Sequence, residues 1–241
     1  MYKIRTYNAI SSKGLSRFPT DSYEVSSEST DADGILLRSQ KLHNEVLPES
    51  VVAIARAGAG TNNIPVAEYT ERGVVVFNTP GANANAVKEL IVAALLMGSR
   101  DIYGGMNYVQ GLTEITDSGE MGKLLEKEKK NFAGGEIKGK TLGVVGLGAI
   151  GSMIGNLALE LGMNVVGYDP AISVEAAWQL SSDVERMENL EALLACSDFI
   201  TLHVPAIAAT KHLINSKTLS GMKSTAKILN FAREEIVSSA D

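Results

Sequence analysis

The sequence predicts an α/β protein with a doubly wound parallel sheet and a second, smaller α/β domain. Short runs rich in Val, Ile and Leu alternate along the chain with helical patterns, as in repeated β-α-β units. One such run leads into the glycine pattern "GLGAIG" at residues 146–151, and the next run ends on an acidic residue, Asp169. Strands that are apolar on both faces are typical of a parallel sheet covered by helices on each side.

Composition and charge narrow the class of protein. The 241 residues suffice for one large domain or two modest ones, and 45% hydrophobic with 21% charged residues is typical of a globular protein. A net charge of −6 argues against a nucleic-acid partner, because phosphate backbones are bound mainly by positive surfaces. The single cysteine, Cys196, excludes an internal disulfide and a multi-cysteine metal site. No apolar run is long enough for a signal peptide or membrane helix, so we expect a cytoplasmic protein without a membrane partner.

The first hundred residues contain three predicted strands, at 34–39, 51–58 and 74–81. The segments between them, 43–50 and 63–73, look helical, and the second ends on Gly73 as a helix often does.

A long helix is predicted next, over residues 85–103, with Asn85 as its N-cap. Apolar residues on nearly every side predict burial between two layers, as in a helix that crosses between domains. The following segment, 104–140, is charged and rich in glycine, with an amphipathic stretch around Leu124 and Leu125. It is either a solvated linker helix or an arm that packs on another subunit.

The second half predicts a regular alternation of strands and helices. The predicted strands are 141–148, 164–170, 198–205 and 226–232, and the predicted helices are 149–162, 189–197 and 216–222. This order is typical of an open, parallel, doubly wound sheet.

Gly146, Gly148 and Gly151 form the pattern G-x-G-x-x-G between a strand and a helix. In a Rossmann-type dinucleotide site the first glycine permits the tight turn, the second admits the pyrophosphate, and the third lets helix and strand pack closely. The helix N-terminus then faces the phosphates. Asp169, at the end of the next strand, is placed to bind the adenosine ribose and to repel a 2′-phosphate, so the pattern favours NAD over NADP. The alternative is a purely structural glycine turn.

The sequence resembles the NAD-dependent D-isomer 2-hydroxyacid dehydrogenases. "GKTLGVVGLGAIG", "GYDP", "LHVP" and "NFAREEIV" match the cofactor-domain signatures in order, and "ARAGAGTNNI" and "VVVFNTPGANANAVKELIVA" match the substrate domain. The resemblance implies a Rossmann-type cofactor domain over residues 141–241, a smaller flavodoxin-like substrate domain over residues 1–97, and a linker or arm over 98–140. It also implies oxidation of a D-2-hydroxyacid with NAD, and the first half points to a phosphorylated substrate.

The resemblance assigns substrate-binding residues in the first half. The backbone amides of Ala59 and Gly60 hold the substrate carboxylate, and Arg56 lies near the anionic end of the substrate. An arginine at the end of a parallel strand beside a glycine loop also suits bidentate binding of an anion on physical grounds, although a surface ion pair is the alternative. The resemblance places four further residues along the interdomain cleft near the nicotinamide: Asn78, Thr79, Pro80 and Gly81.

In the second half, the resemblance assigns Arg233 as the catalytic arginine that polarises the C2 oxygen of the substrate. A guanidinium suits this role because it stays charged at any working pH. The implied cofactor-binding residues are Gly146, Gly148, Ala149, Ile150, Gly151, Asp169, Pro170, His203, Val204, Pro205, Thr210, Asn230, Ala232 and Arg233. Three residues depart from the family pattern: Glu234 stands where glycine is common, and Ser238 and Asn62 stand where aspartate is common.

The family's mechanism also needs a general acid–base histidine paired with a glutamate, both after the arginine. The chain stops at Asp241, and its histidines, at 43, 203 and 212, are poor substitutes. We expect a fragment of a longer enzyme rather than a naturally shortened homologue, because a sheet cut at this point leaves an unpaired edge. The alternatives for function are a dehydrogenase of another D-2-hydroxyacid and a nucleotide-binding regulatory module. The resemblance implies a homodimer or higher homo-oligomer, with 104–140 as the candidate contact.

Overall fold

The computed structural model of the protein describes residues 1–240. The chain divides into two compact units, Met1–Asn83 and Ala84–Asp241. The domain boundaries predicted at residues 97 and 140 divide the chain by function rather than by compactness, and they stay a prediction.

The first unit is a five-stranded, all-parallel sheet in the order β2-β1-β3-β4-β5. This 2-1-3-4-5 order is the flavodoxin-like one, as predicted. The strands are β1 (Tyr2–Thr6), β2 (Tyr23–Ser26), β3 (Gly34–Leu37), β4 (Ala53–Arg56) and β5 (Val75–Phe77), and the helices are α1 (Ser12–Leu15) and α2 (Val66–Glu71). Strands β1 and β2 were not predicted, because polar residues interrupt them and their side chains are at most half-buried.

The helix predicted at 43–50 is wrong: within the described chain, no helix lies between β3 and β4. Leu42 and Leu47 are buried in the core of the first unit, but they are five residues apart, which is not a helical spacing. Pro48 also lacks the backbone N–H that a helix interior needs. The N–H of Leu42 instead donates to the carbonyl of Asn63, at 2.9 Å.

The second unit contains a five-stranded parallel sheet in the order β10-β9-β6-β7-β8, which is the Rossmann order 3-2-1-4-5 read from the other edge. Its strands are β6 (Thr141–Val145), β7 (Asn164–Tyr168), β8 (Glu185–Arg186), β9 (Phe199–Leu202) and β10 (Lys227–Asn230). Its helices are α3 (Ala84–Ser99), α4 (Ile102–Gln110), α5 (Ser118–Glu128), α6 (Ala149–Glu160), α7 (Val174–Gln179), α8 (Leu190–Cys196) and α9 (Ser216–Leu219), with 3-10 turns at Lys129–Phe132 and Glu234–Ile236. The α/β fold predicted from the sequence is confirmed, although α7 and the exposed β8 were not predicted.

The helix predicted over 85–103 is two helices. Asp101 ends the run because its carboxylate caps α4, accepting the N–H of Gly104 at 2.8 Å. Asn85 is not the N-cap of α3: it lies inside the helix, where its amide donates to Glu89 at 2.8 Å. Ile91 lies in the core of the second unit, whereas Leu90 is 56% exposed. Within the described chain, helix α3 is therefore buried along one face, whereas the sequence predicted burial between two layers.

Two apolar clusters form the core of the second unit, and α6 and α8 contribute to different clusters. Among residues 1–240, no helix combines the length and apolarity needed to cross a bilayer.

Candidate functional site

The glycine pattern at 146–151, which spans the turn after β6 and the start of α6, accepts only glycine at two of its positions. Gly146 has φ +91°, and a Cβ atom there would lie 2.6 Å from the carbonyl oxygen of His203. At Gly151 a Cβ atom would lie 1.9 Å from the carbonyl oxygen of Gly146. Gly148 differs, because it has φ −66° and no heavy atom lies within 4 Å of where its Cβ would be. The surface over Gly148 is thus open, as a group that approaches the backbone requires.

The first turn of α6 presents unpaired N–H groups at this open surface. The N–H groups of Gly148, Ala149, Ile150 and Gly151 have no acceptor among the described residues. Such groups at the N-terminus of a helix, together with its dipole, bind phosphate. Helix α6 spans 12 residues, so its dipole is well developed. The open glycine surface and the free amides fit the pyrophosphate of a dinucleotide.

Asp169 organises this turn, a role that the sequence did not reveal. Its Oδ2 accepts the N–H of Leu147 at 2.8 Å, and its Oδ1 accepts the N–H of Ala171 at 2.9 Å. A carboxylate offers about four lone-pair positions, so these two bonds leave room for ribose hydroxyls. Pro170, the next residue, is exposed. Asp169 therefore suits the predicted ribose contact and also ties the end of β7 to the glycine turn.

His203, which follows β9, contacts the glycine turn on the side away from Asp169. Its backbone N–H donates to the carbonyl of Val145 at 2.7 Å, and its ring Nε2 lies 2.8 Å from the hydroxyl of the fully buried Thr201. Burial disfavours the charged imidazolium and lowers the pKa of His203 to about 4. The next residue, Val204, brings Cγ1 to within 3.0 Å of the Cβ position of Gly146. His203 is therefore a neutral structural partner of the turn.

Two further loops hold predicted cofactor residues. The hydroxyl of Thr210 donates to the carbonyl of Pro205 and accepts the N–H of Ile207, which closes the loop after β9. Asn230, at the end of β10, accepts the N–H of Ala232 at 3.1 Å and donates to the carbonyl of Arg233 at 2.8 Å. The side chain of Asn230 thus shapes the loop that carries the predicted catalytic arginine.

Arg233 is exposed, and its guanidinium donates to the carbonyl of Ala232 at 2.8 Å. In the described part of the chain, no ion pair joins Arg233 to Glu234. The neighbouring carboxylate therefore does not neutralise the arginine by direct contact.

The sheet brings these cofactor residues together at one edge. Strands β7, β6, β9 and β10 are parallel neighbours, and their last residues lie in register. The residues that follow these strands therefore gather at the carboxyl edge. The strand order reverses between β6 and β9, which is where such sheets bind ligands.

In the first unit, hydrogen bonds to carbonyl oxygens hold the loop after β4. The guanidinium of Arg56 donates to the carbonyl of Gly60 in this loop. It also donates, at 3.0 Å, to the carbonyl of Arg38, which follows the neighbouring strand β3. The amide of Asn78 donates to the carbonyl of Ala59 at 2.6 Å. Within residues 1–240, the N–H groups of Ala59 and Gly60 have no acceptor.

The structure thus gathers Arg56, Ala59, Gly60 and Asn78 at the carboxyl ends of β4 and β5. Thr79 joins them through its N–H, which donates to the carbonyl of Gly58 at 3.0 Å. Gly81 follows in the turn after β5, with φ +77°. The assignment of these residues to substrate binding stays a prediction.

Comparison with known proteins places this arrangement in a family. The NAD-binding domain of the D-isomer specific 2-hydroxyacid dehydrogenases matches residues 103–241. The chain is 38% identical over 210 residues to the D-3-phosphoglycerate dehydrogenase of Methanocaldococcus jannaschii, which covers 86% of the chain and 37% of that protein. It is 40% identical over 180 residues to the hydroxypyruvate reductase of Thermotoga maritima, which covers 75% of the chain and 53% of that protein.

Solved structures agree with this family. The NAD⁺-bound 3-phosphoglycerate dehydrogenase of Entamoeba histolytica superposes with a TM-score of 0.74 at 27% identity, over 98% of the chain and 73% of that structure. The chain spans 37% of the length of the M. jannaschii relative. The glycine turn, the free amides of α6 and the carboxylate of Asp169 fit the dinucleotide that this domain binds. The chain therefore belongs to the D-isomer specific 2-hydroxyacid dehydrogenases and contains their NAD-binding domain.

Proposed function

We propose that the protein is a D-3-phosphoglycerate dehydrogenase, which converts 3-phospho-D-glycerate and NAD⁺ to 3-phosphooxypyruvate, NADH and a proton, as the first step of serine biosynthesis. The observation that carries this proposal is the extent of the likeness. Relatives of that name from an archaeon, a cyanobacterium and a mammal are 35–38% identical over 85–89% of the chain, so the likeness reaches into both units. A likeness that extends over both units supports a shared substrate.

The cofactor is held by the carboxyl edge of the second unit. The N–H groups at the start of α6 would hold the diphosphate of bound NAD, and the open surface at Gly148 would admit it. The carboxylate of Asp169 accepts hydrogen bonds from the hydroxyls of the adenosine ribose, and its negative charge disfavours a 2′-phosphate. Pro170, Val204, Pro205 and Thr210 border the adenosine side. When bound, NAD supplies a nicotinamide that accepts a hydride.

The substrate carboxylate is bound by the N–H groups of Ala59 and Gly60. The free state of both amides in the described chain supports this assignment. Arg56 holds the loop that presents them, through its bond to the carbonyl of Gly60, and adds positive charge. Asn78 fixes the same loop from the other side.

Arg233 polarises the C2 oxygen of the substrate and so stabilises the carbonyl that forms there. Its planar guanidinium donates two parallel hydrogen bonds, which a lysine does not. The bonds that Asn230 makes to Ala232 and Arg233 give the loop a defined shape, and preorganised donors are the effective ones.

The test is oxidation of NADH by the purified whole protein with 3-phosphooxypyruvate, and we expect a higher kcat/KM than with hydroxypyruvate, glyoxylate or pyruvate. Arg233→Lys should lower kcat about a hundredfold, because lysine keeps the positive charge but cannot donate two parallel hydrogen bonds. Arg186→Lys, at an exposed arginine of the same unit, is the matched control. A preference for hydroxypyruvate would instead support the second candidate, which the T. maritima relative favours.

We further propose that the protein is a cytoplasmic homodimer that pairs through α4. Ile102, Met106 and Val109 form one stripe on this helix, and each is 40–56% exposed. An apolar stripe in water favours association with a second copy. We expect Met106→Glu to shift sedimentation from dimer to monomer and Asn107→Glu, off the stripe, to leave the dimer intact. A wild-type monomer, or recovery of the protein with cell membranes, would contradict the proposal.

A further inference from the structure

Asn8 makes an unusual set of contacts in the first unit. It follows β1 and has φ +64°, a conformation that asparagine tolerates better than most residues. Its Oδ1 accepts three consecutive N–H groups, those of Arg38, Ser39 and Gln40, at 3.3, 2.8 and 2.8 Å. Consecutive amides that converge on one point form a concave anion-binding arrangement. Here the side chain of Asn8 fills it.

Asn8 lies at the carboxyl edge of the sheet, next to the point where the strand order changes direction. Strands β1 and β3 are neighbours, and in a 2-1-3-4-5 sheet the crevice between them is where ligands usually bind. Asn8 follows β1 and the amides of 38–40 follow β3, so the exposed side chain of Asn8 lies at this crevice and occupies the amides there. The N–H groups of Ala59 and Gly60, which have no acceptor in the described chain, lie at the same edge of the sheet but after β4, the neighbour of β3.

The loop at 38–40 is connected onward to those amides. The carbonyl of Arg38 accepts Nε of Arg56 at 3.0 Å, and Arg56 also donates to the carbonyl of Gly60. The carbonyl of Gln40 accepts Nδ2 of Asn63 at 2.6 Å, and Asn63 is only 5% exposed. Asn8 thus holds the N–H groups of 38–40, and Arg56 and Asn63 hold the carbonyls of Arg38 and Gln40.

We propose that Asn8 is a positioning residue for substrate binding: by holding loop 38–40 it fixes the carbonyl against which Arg56 is oriented, and so the amides of Ala59 and Gly60. The proposal rests on the proposed function. Without the oxygen of Asn8, three backbone donors lose their shared acceptor, and the loop relaxes toward water. Arg56 then loses a fixed partner, and the carboxylate-binding amides lose their orientation.

The experiment compares two substitutions at position 8. Asn8→Gly keeps the positive φ without strain and removes the acceptor, whereas Asn8→Asp keeps both the conformation and an acceptor oxygen. His212→Gly is the matched control, because His212 is the other non-glycine residue with positive φ in the described chain and is exposed. Affinity for 3-phosphoglycerate, with NADH saturating, and affinity for NADH are measured by calorimetry on the whole protein. Amide hydrogen exchange is followed at 38–40 and 57–60.

We expect Asn8→Gly to weaken 3-phosphoglycerate binding about tenfold, the loss that one or two hydrogen bonds predict, with NADH affinity unchanged. Exchange should rise at both 38–40 and 57–60, and Asn8→Asp should restore both affinity and protection. The proposal is overturned if Asn8→Gly binds substrate as wild type does, if exchange at 57–60 is unchanged, or if Asn8→Asp behaves like Asn8→Gly. Should the wild type bind no 3-phosphoglycerate, the proposed function fails, and exchange at 57–60 still decides whether Asn8 positions the loop.

Discussion

Gly151→Ala is expected to lower the free energy of unfolding by about 3 kcal/mol or more and to abolish NAD binding. The new methyl group would lie 1.9 Å from the carbonyl oxygen of Gly146, a backbone atom that the turn holds in place. Helix α6 must therefore move away from β6, which outweighs the gain of about 1 kcal/mol in helix propensity. Urea unfolding followed by circular dichroism measures the first effect, and calorimetry with NAD measures the second.

Gly148→Ala separates the two effects. No atom opposes a methyl group at position 148, so stability should stay within about 0.5 kcal/mol of wild type. The methyl group would project into the open surface assigned to the pyrophosphate, so NAD affinity should fall about tenfold or more. Gly122→Ala, in an equally open position of α5, should leave NAD affinity unchanged. Wild-type NAD affinity in Gly148→Ala would show that the diphosphate lies elsewhere.

The second large effect concerns acid stability and His203. The pKa of this side chain is about 4 in the folded protein, against a usual value of 6.5, because burial disfavours the imidazolium. Between these two pH values the unfolded chain binds more protons than the folded one, so stability falls as the pH is lowered from 6.5 to 4. The shift predicts a loss of about 2.5 kcal/mol between pH 7.5 and pH 4.5.

His203→Gln tests this account, because glutamine is neutral across the range. The variant should lose markedly less stability than wild type between pH 7.5 and pH 4.5 in urea titrations, whatever its stability at neutral pH. His43→Gln, at an exposed histidine of the first unit, should follow the wild-type curve. An equal acid loss in wild type and His203→Gln would place the titrating group elsewhere.

Much of the second unit was predictable because its signals are local. A buried apolar strand, a glycine pattern and an apolar helix stand next to one another at 141–162, and the structure has β6 and α6 there. Strands that lack this signal were missed. Strand β1 alternates polar and apolar residues, and β8 is two exposed residues. The helix expected at 43–50 does not form, because this polar segment has no apolar residues at helical spacing and contains Pro48.

The roles of individual side chains depended on contacts between distant positions. The sequence predicts that Asp169 binds the ribose, but the bond from the N–H of Leu147 to Asp169 joins residues 22 apart. The bonds of Asn8 to loop 38–40 span 30–32 residues, and nothing in the local pattern around Asn8 signals them. His203 is adjacent to the glycine turn only because β9 pairs with β6.

By itself, the sequence determined the fold class, the glycine turn and its preference for NAD, since these depend on backbone conformations and side-chain chemistry within short segments. The tertiary structure alone decided the strand order of each sheet, the organising role of Asp169, the neutral state of His203 and the contacts of Asn8. Each of these arises from pairing or burial that brings distant segments together. The free energy of such contacts depends on which groups meet, and a linear pattern does not specify that.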